Sequence, residues 1–320
     1  MLDLSKPIKT TFEQTSLREM ECWFSELPDD AAWYVVSDYC FGDKTKNSDT
    51  VSFSILLNHD KIENIKEYIR AFAPKDIKST RTVSEGFIQY INSPVIFHIT
   101  FMIDRKTKYM KDYATKENME DFLSYFREFV SEIDKNSSFD DGFTASVIKR
   151  SYEFERDFKS KNINLKLSRQ IYLVSVFVSL VFYYLNRIKN PSHIKWVSDR
   201  DAISKRYDGF IYDLSYFLFL SEVSQEVGNK DGTKTLLHKP QFIFPVKEEL
   251  EGGKYDELIR IPDYLAGTLA DLNMDTGEFT KDKFYTVFFD SLVGSKNHSV
   301  IQIYGNGERL SSRRIGYKYT

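Results

Sequence analysis

Three apolar runs of strand length each close on an aspartate: AAWYVVSDYC near Asp38, SPVIFHITFMID at Asp104, and HIKWVSDRD at Asp199 and Asp201. Runs this apolar belong inside a sheet covered by helices on both faces. Such a sheet has little room for charge except at the ends of its strands, so the fold itself sends carboxylates there. TVSFSILLN alternates Val51, Phe53, Ile55 and Leu57 after the turn-rich FGDKTKNSD, which predicts a hairpin with the first run.

The segments between fit the same plan. HDKIENIKEYIRAF spaces Ile62, Ile65, Ile69 and Phe72 as a helix does, APKDIKST reads as a short strand after Pro74, and VSEGFIQYI reads as a short helix. Met119, Phe122, Leu123, Phe126, Val130 and Ile133 mark an amphipathic helix, and a second helical block runs from about Ser151 to Ile188, ended by Pro191. YDGFIYDLSYFLFLSEVSQEV resumes a helix and KPQFIFPV is a strand. LIRIPDYLAGTLADLN then reads as a last strand handing over to a helix at Asp263, and FYTVFFDSL is strand-like. A hairpin followed by strands alternating with helices predicts an α/β fold with a mixed sheet flanked by helices.

Charge and composition narrow the partners. A net charge of −3 is unlike the strong positive excess of a dedicated duplex binder, so any contact with DNA or RNA falls on local patches. Two such patches are FKSKNINLKLSR, with Lys159, Lys161, Lys166 and Arg169, and RLSSRRIGYKYT, with Arg309, Arg313, Arg314 and Lys318. Cys22 and Cys40 form neither a disulfide framework nor a thiolate metal site, and MLDLSKPIKTTFEQ lacks the apolar core of a signal peptide, so a cytoplasmic protein is expected. The most apolar run, Ile171 to Leu185, is shorter than the roughly 20 residues that cross a bilayer; it reads as a buried helix or a helix pairing copies of the chain, with no membrane partner expected. His59, His98, His193, His238 and His298 show no HExxH spacing, and neither a GxSxG elbow nor a GxxxxGK[ST] loop is present.

What the sequence offers chemically is oxygen. Asp38, Asp104, Asp199, Asp201 and Asp263 could converge at one sheet edge and hold Mg²⁺ or Mn²⁺, which suit carboxylate ligands. A pair of such ions activates a water and steadies the leaving oxygen of a phosphodiester. Each aspartate also has an ordinary role: a strand end, a turn, or, for Asp263, the N-cap of a helix in which Ala266 and Gly267 leave room for a close neighbour. Glu85 could be a ligand, but Thr82-Val83-Ser84-Glu85 fits a capping box.

The order of these pieces resembles the bacterial and phage proteins catalogued as domain of unknown function 3800, a ribonuclease-H-like fold of the retroviral-integrase superfamily. Its Asp-Glu-Ser-Gly motif is matched by VVSDYCFGD, its Glu-Ile-Lys by DIKST, its Ile-Asp-Lys by FMIDRK, its Asp-Glu-Arg by WVSDRD and its closing Asp-Leu-Ile-Ala-Gly by RIPDYLAGTLA. Tyr39 stands where the pattern has Glu, and Pro262 where it has Ala. The resemblance implies a ribonuclease-H-like domain over about 31–275 with a helical insertion at about 113–190, after an N-terminal extension of about 30 residues and before a C-terminal appendage at 276–320. It also implies a metal-dependent nuclease, with Asp38, Asp199 and Asp263 as ligands and Lys78 neutralising substrate charge. Asp104, at the end of what would be the fourth strand, competes with Asp199 for the middle position, and Asp201 stands beside it. The alternative is a non-catalytic binding or scaffold component of a defence or mobile-element system, working through a protein partner.

Overall fold

The computed structural model describes residues 5–105, 111, 113–136, 142–159, 165–229, 240–245, 247–306 and 309–318. The chain divides into two compact units, one built from Met1–Lys6, Lys108–Tyr183 and Arg200–Leu237, the other from Pro7–Thr107, Tyr184–Asp199 and His238–Thr320.

The larger unit is a seven-stranded mixed sheet with helices on both faces. Its strands are β1 (Ala32–Cys40), β2 (Asp49–Leu57), β3 (Ile96–Ile103), β4 (His193–Ser198), β5 (Gln241–Ile243), β6 (His298–Asn306) and β7 (Arg309–Ile315), in the spatial order β5-β4-β1-β2-β3-β6-β7. β1 and β2 form the expected hairpin, with Asp38 opposite Ser52, and β2 pairs antiparallel with β3. β4 runs parallel to β1, β5 parallel to β4 and β6 parallel to β3, while β7 returns antiparallel along β6.

Side chains alternate along each strand, so Val36 on β1, Leu56 on β2, Ile96 on β3 and Val197 on β4 mark one face. That face packs against α3 (Ile62–Phe72), α4 (Glu85–Ile91), α11 (Asp256–Asp271) and α12 (Asp282–Ser291) in one apolar cluster. Leu258, Ile261, Leu265 and Leu269 of α11 are fully buried, each contributing about 1.5–3 kcal/mol. Beneath α11 the sheet face is polar: Thr50 donates to the Ala266 carbonyl at 2.9 Å, the Ser52 and Thr100 hydroxyls meet at 2.8 Å, and Thr100 meets His298 Nε2 at 3.0 Å. On the opposite face α1 (Ser5–Thr15) and α2 (Leu17–Phe24) set Phe24 against Trp33 and Phe97 and join Ser16 to Ser299.

Three elements differ from their sequence reading. The segment around Leu258 is not a strand: α11 is helical from Asp256 onward, with Pro262 inside it. FYTVFFDSL is helical as α12, because Phe284, Val287 and Phe288 share one buried side. APKDIKST is a one-turn 3-10 helix, Ile77–Ser79, rather than a strand. The Thr82 capping box is also not formed, since Ser84 occupies the N-cap of α4 and makes no side-chain cap bond.

The smaller unit is helical. It holds α5 (Lys116–Asn136), α6 (Phe143–Lys159), most of α7 (Leu165–Lys189), α8 (Ala202–Lys205) and α9 (Phe210–Asn229). Phe126 of α5 packs edge-on against Phe210 and Phe217 of α9, and Arg150 of α6 bonds Asp213 at 2.6 Å. Alpha-helix α7 is long and apolar enough to cross a bilayer, yet 89% of its most apolar window is buried inside the protein, as a core helix would be. A short helix, α10 (Lys247–Glu251), belongs to the sheet unit.

Candidate functional site

Asp38 and Asp199 stand abreast. Val36 pairs with Val197 and Ser37 with Ser198, and the Asp199 N–H donates to the Ser37 carbonyl at 3.3 Å, so the next residues on the two strands lie about 5 Å apart. By strand alternation both project onto the face that α11 covers, since Val36 and Val197 belong to its apolar cluster. Asp263 comes from α11 itself. It does not cap that helix; its Oδ2 accepts the Ile77 N–H at 2.7 Å, which ties α11 to the Ile77–Ser79 turn.

The three carboxylates feel one another. Burial raises Asp38 well above its ordinary range, and the charges of Asp263 and Asp199 raise it further, opposed by the Tyr39 backbone and the Lys78 ammonium. Burial likewise raises Asp263, to about 7, against the Ile77 N–H and Lys78; Asp76 and Asp199 add to the rise. Asp38 is buried, while Asp199 and Asp263 are half-buried. Lys78 is exposed and projects from the turn, close enough for its charge to act on both Asp38 and Asp263. Among the described residues no three His, Cys, Asp or Glu side chains close into a ready-made metal cage. The set as it stands is a like-charged group lowered in energy by a proton or by a cation.

No family model, no curated protein and no solved structure matches this chain.

The other sequence candidates are not brought to this group. In the register Asp38–Ser52–Thr100, Asp104 lies two strands away and about 13 Å further along β3. Because APKDIKST is a turn, the strand that Asp104 follows is the third and not the fourth; the fourth strand ends at Ser198, one residue before Asp199. Asp201, in the helical unit, accepts the Ile203 and Ser204 N–H groups at 2.8 and 3.1 Å and is the N-cap of α8. Tyr39 points to the opposite face of the sheet, its hydroxyl 2.8 Å from both Ser37 and Ser198. Glu85 is exposed and accepts from Gln89.

Three arginines of the basic patches are engaged in structure. Arg314 bonds Glu19, Arg313 bonds Gln302 at 2.8 Å, and Arg169 donates to the Ala114 carbonyl. Lys161 lies outside the described residues, as do the side chains of Lys159 and Arg309.

Two residues of the site escaped the sequence reading. Asp76, exposed on the turn, adds negative charge beside Asp263. Lys283, on α12, reaches the same turn from the other side. A lysine on the apolar side of KFYTVFF was the signal, because a buried ammonium needs partners.

Proposed function

We propose that this protein is a divalent-metal-dependent phosphoryl-transfer enzyme, a nuclease acting on DNA or RNA, with Asp38, Asp199 and Asp263 as the metal-holding carboxylates. The observation that carries the reading is their convergence: Asp38 and Asp199 stand side by side at the ends of β1 and β4, and Asp263 comes down from the covering helix α11 close enough for its charge to act on Asp38. A mixed sheet flanked by helices, with carboxylates on its first and fourth strands, supports the ribonuclease-H-like fold implied by the motif order. The strand count and the motif now nominate the same middle residue, Asp199.

The donor set fits a hard cation: all ligating atoms are carboxylate oxygens, and a divalent charge would offset the burial and the neighbouring negative charges that push Asp38 and Asp263 toward their protonated forms. Mg²⁺ or Mn²⁺ held there supplies Lewis acidity toward a phosphodiester. Asp38, buried, fixes the position; the half-buried Asp199 and Asp263 keep one side open to substrate. Lys78 offers a positive charge to the phosphate oxygens.

Thermal melting with and without millimolar Mn²⁺, beside an Asp38→Asn, Asp263→Asn variant, tests this reading. Stabilisation of the wild type that is lost in the variant, followed by Mn²⁺-dependent cleavage of single- or double-stranded DNA or RNA, is the expected result. No shift, with or without an oligonucleotide present, overturns it in favour of a binding or scaffold protein that keeps the fold without the chemistry.

A further inference from the structure

Four residues of backbone next to the carboxylates are held from both sides. Lys283, in the first turn of α12, is only 5% exposed, and its Nζ donates to the carbonyls of Ile77, of Lys78 at 3.2 Å and of Thr80 at 2.8 Å. All three ammonium donors thus have an acceptor, which is what makes burial of a lysine tolerable. From the other side the Asp263 carboxylate takes the Ile77 N–H. Tyr264, the next residue on α11, adds its hydroxyl, which donates to the Lys75 carbonyl and meets the Thr80 hydroxyl, both at 3.0 Å.

Such thoroughness is unusual for a short surface turn, whose carbonyls could face water at little cost. The side chain carried between the anchors is Lys78, exposed and acting electrostatically on Asp38 and Asp263. A flexible lysine on a mobile turn would average its charge over many positions; fixing its backbone removes that freedom before substrate arrives.

We propose that Lys283 is a positioning residue of the carboxylate site: it fixes the Ile77–Thr80 backbone so that the Lys78 ammonium stands beside Asp38 and Asp263 to meet a phosphodiester oxygen. This rests on the phosphoryl-transfer reading above. It brings α12, expected from sequence to lie in an appendage, into the construction of the site.

The test is a double-mutant cycle on the Mn²⁺-dependent cleavage of an oligonucleotide, using Lys78→Met, Lys283→Met and the two combined. Lys78→Met lowers kcat/KM by about tenfold or more. Lys283→Met lowers it in the same direction, and the combined variant falls no further than Lys78→Met alone, within about twofold. Losses that multiply, or wild-type kinetics in Lys283→Met, overturn the proposal, because a lysine serving stability alone acts independently of Lys78. Lys283→Arg, which keeps a charged donor, restores part of the rate.

Hydrogen exchange at the Ile77–Thr80 amides, measured without substrate, provides the second readout. Faster exchange there in Lys283→Met, with the amides of α11 unchanged, is expected; unchanged exchange overturns the clamp. Should the wild type cleave nothing, the phosphoryl-transfer reading fails by itself and exchange alone decides whether Lys283 holds the turn. Where Lys283→Met does not fold, Lys283→Gln carries the same comparisons.

Discussion

The backbone N–H of Ile77 points at the Asp263 carboxylate, 2.7 Å from Oδ2, so one carboxylate both joins a helix to a turn and faces two other carboxylates. Its two duties pull in opposite directions. The hydrogen bond favours the charged form, and burial, Asp76 and Asp199 favour the neutral one.

That conflict has a sign that pH can read. Asp263 is raised to about 7 from an ordinary 3.8, so the folded protein binds this proton more tightly than the unfolded chain. Its contribution is present at low pH and is lost as pH rises from about 4 through about 7. Without divalent ions, Asp263→Asn is expected to be more stable than the wild type at pH 8, by on the order of 2 kcal/mol, with the advantage vanishing near pH 4. The amide keeps an oxygen for the Ile77 N–H. Urea unfolding of both proteins across this range checks the prediction, and a constant offset between them would refute it.

Two buried histidines act with the opposite sign. His98 donates its Nε2–H to the Ile91 carbonyl and accepts from the Ser54 hydroxyl at Nδ1, while burial holds it neutral, down to about 4. His298 is pushed well below its ordinary 6.5 by burial and then by His98 and Arg314. The unfolded chain therefore takes up these protons first, and the stability they contribute is complete above about pH 6.5 and falls as pH drops toward 4. A His98→Gln, His298→Gln variant is expected to lose about 4 kcal/mol less than the wild type between pH 7 and pH 5, about 2 kcal/mol for each imidazole. Parallel pH profiles for the two proteins would sink this account.

Gly267 matters for what touches it. A Cβ there would come 2.8 Å from Ile77 Cγ2, inside the closest approach real side chains make. Gly267→Ala should therefore cost about 1–3 kcal/mol and displace the Ile77 turn, weakening the response to Mn²⁺ although no carboxylate has changed. A thermal melt with and without Mn²⁺ reports both effects; wild-type behaviour in both would show that the turn yields freely.

The choice between the two middle aspartates is also measurable. Asp199→Asn is expected to remove at least half of the thermal shift produced by Mn²⁺, and Asp104→Asn to leave it intact. The reverse pattern would move the site two strands across the sheet.

Local periodicity made much of this fold legible. The hairpin of β1 and β2, the apolar β3 and β4, and helices α3, α4 and α5 follow from side-chain spacing that neighbouring residues share. What failed was the reading of segments whose state is decided from afar. The 3-10 turn at Ile77 draws its partners from Asp263, Tyr264 and Lys283, about two hundred residues away in the chain, and nothing in DIKST announces them. Alpha-helix α11 runs through Pro262 because Leu258, Ile261 and Leu265 are all fully buried, and that burial outweighs the bond and the fit the proline disturbs. In α12 the aromatic content suggested a strand and the spacing of Phe284, Val287 and Phe288 decided for a helix. The aspartates themselves were visible; the motif order points to Asp199, and only reading APKDIKST as a short strand keeps Asp104 beside it as a candidate.

The sheet unit is assembled from three separated stretches of chain, and this governs its birth as well as its shape. When β1, β2 and β3 leave the ribosome they have no neighbours on their outer edges; β4 must wait for the helical stretch Lys108–Tyr183 to be synthesised, and β6 emerges nearly two hundred residues after β3. Asp38 meets its partners only after α11 has emerged, and the turn beside it is secured only once Lys283 has been made. Whatever chemistry the carboxylates perform is withheld until then, and the nascent chain must instead be shielded while its open strands await their mates.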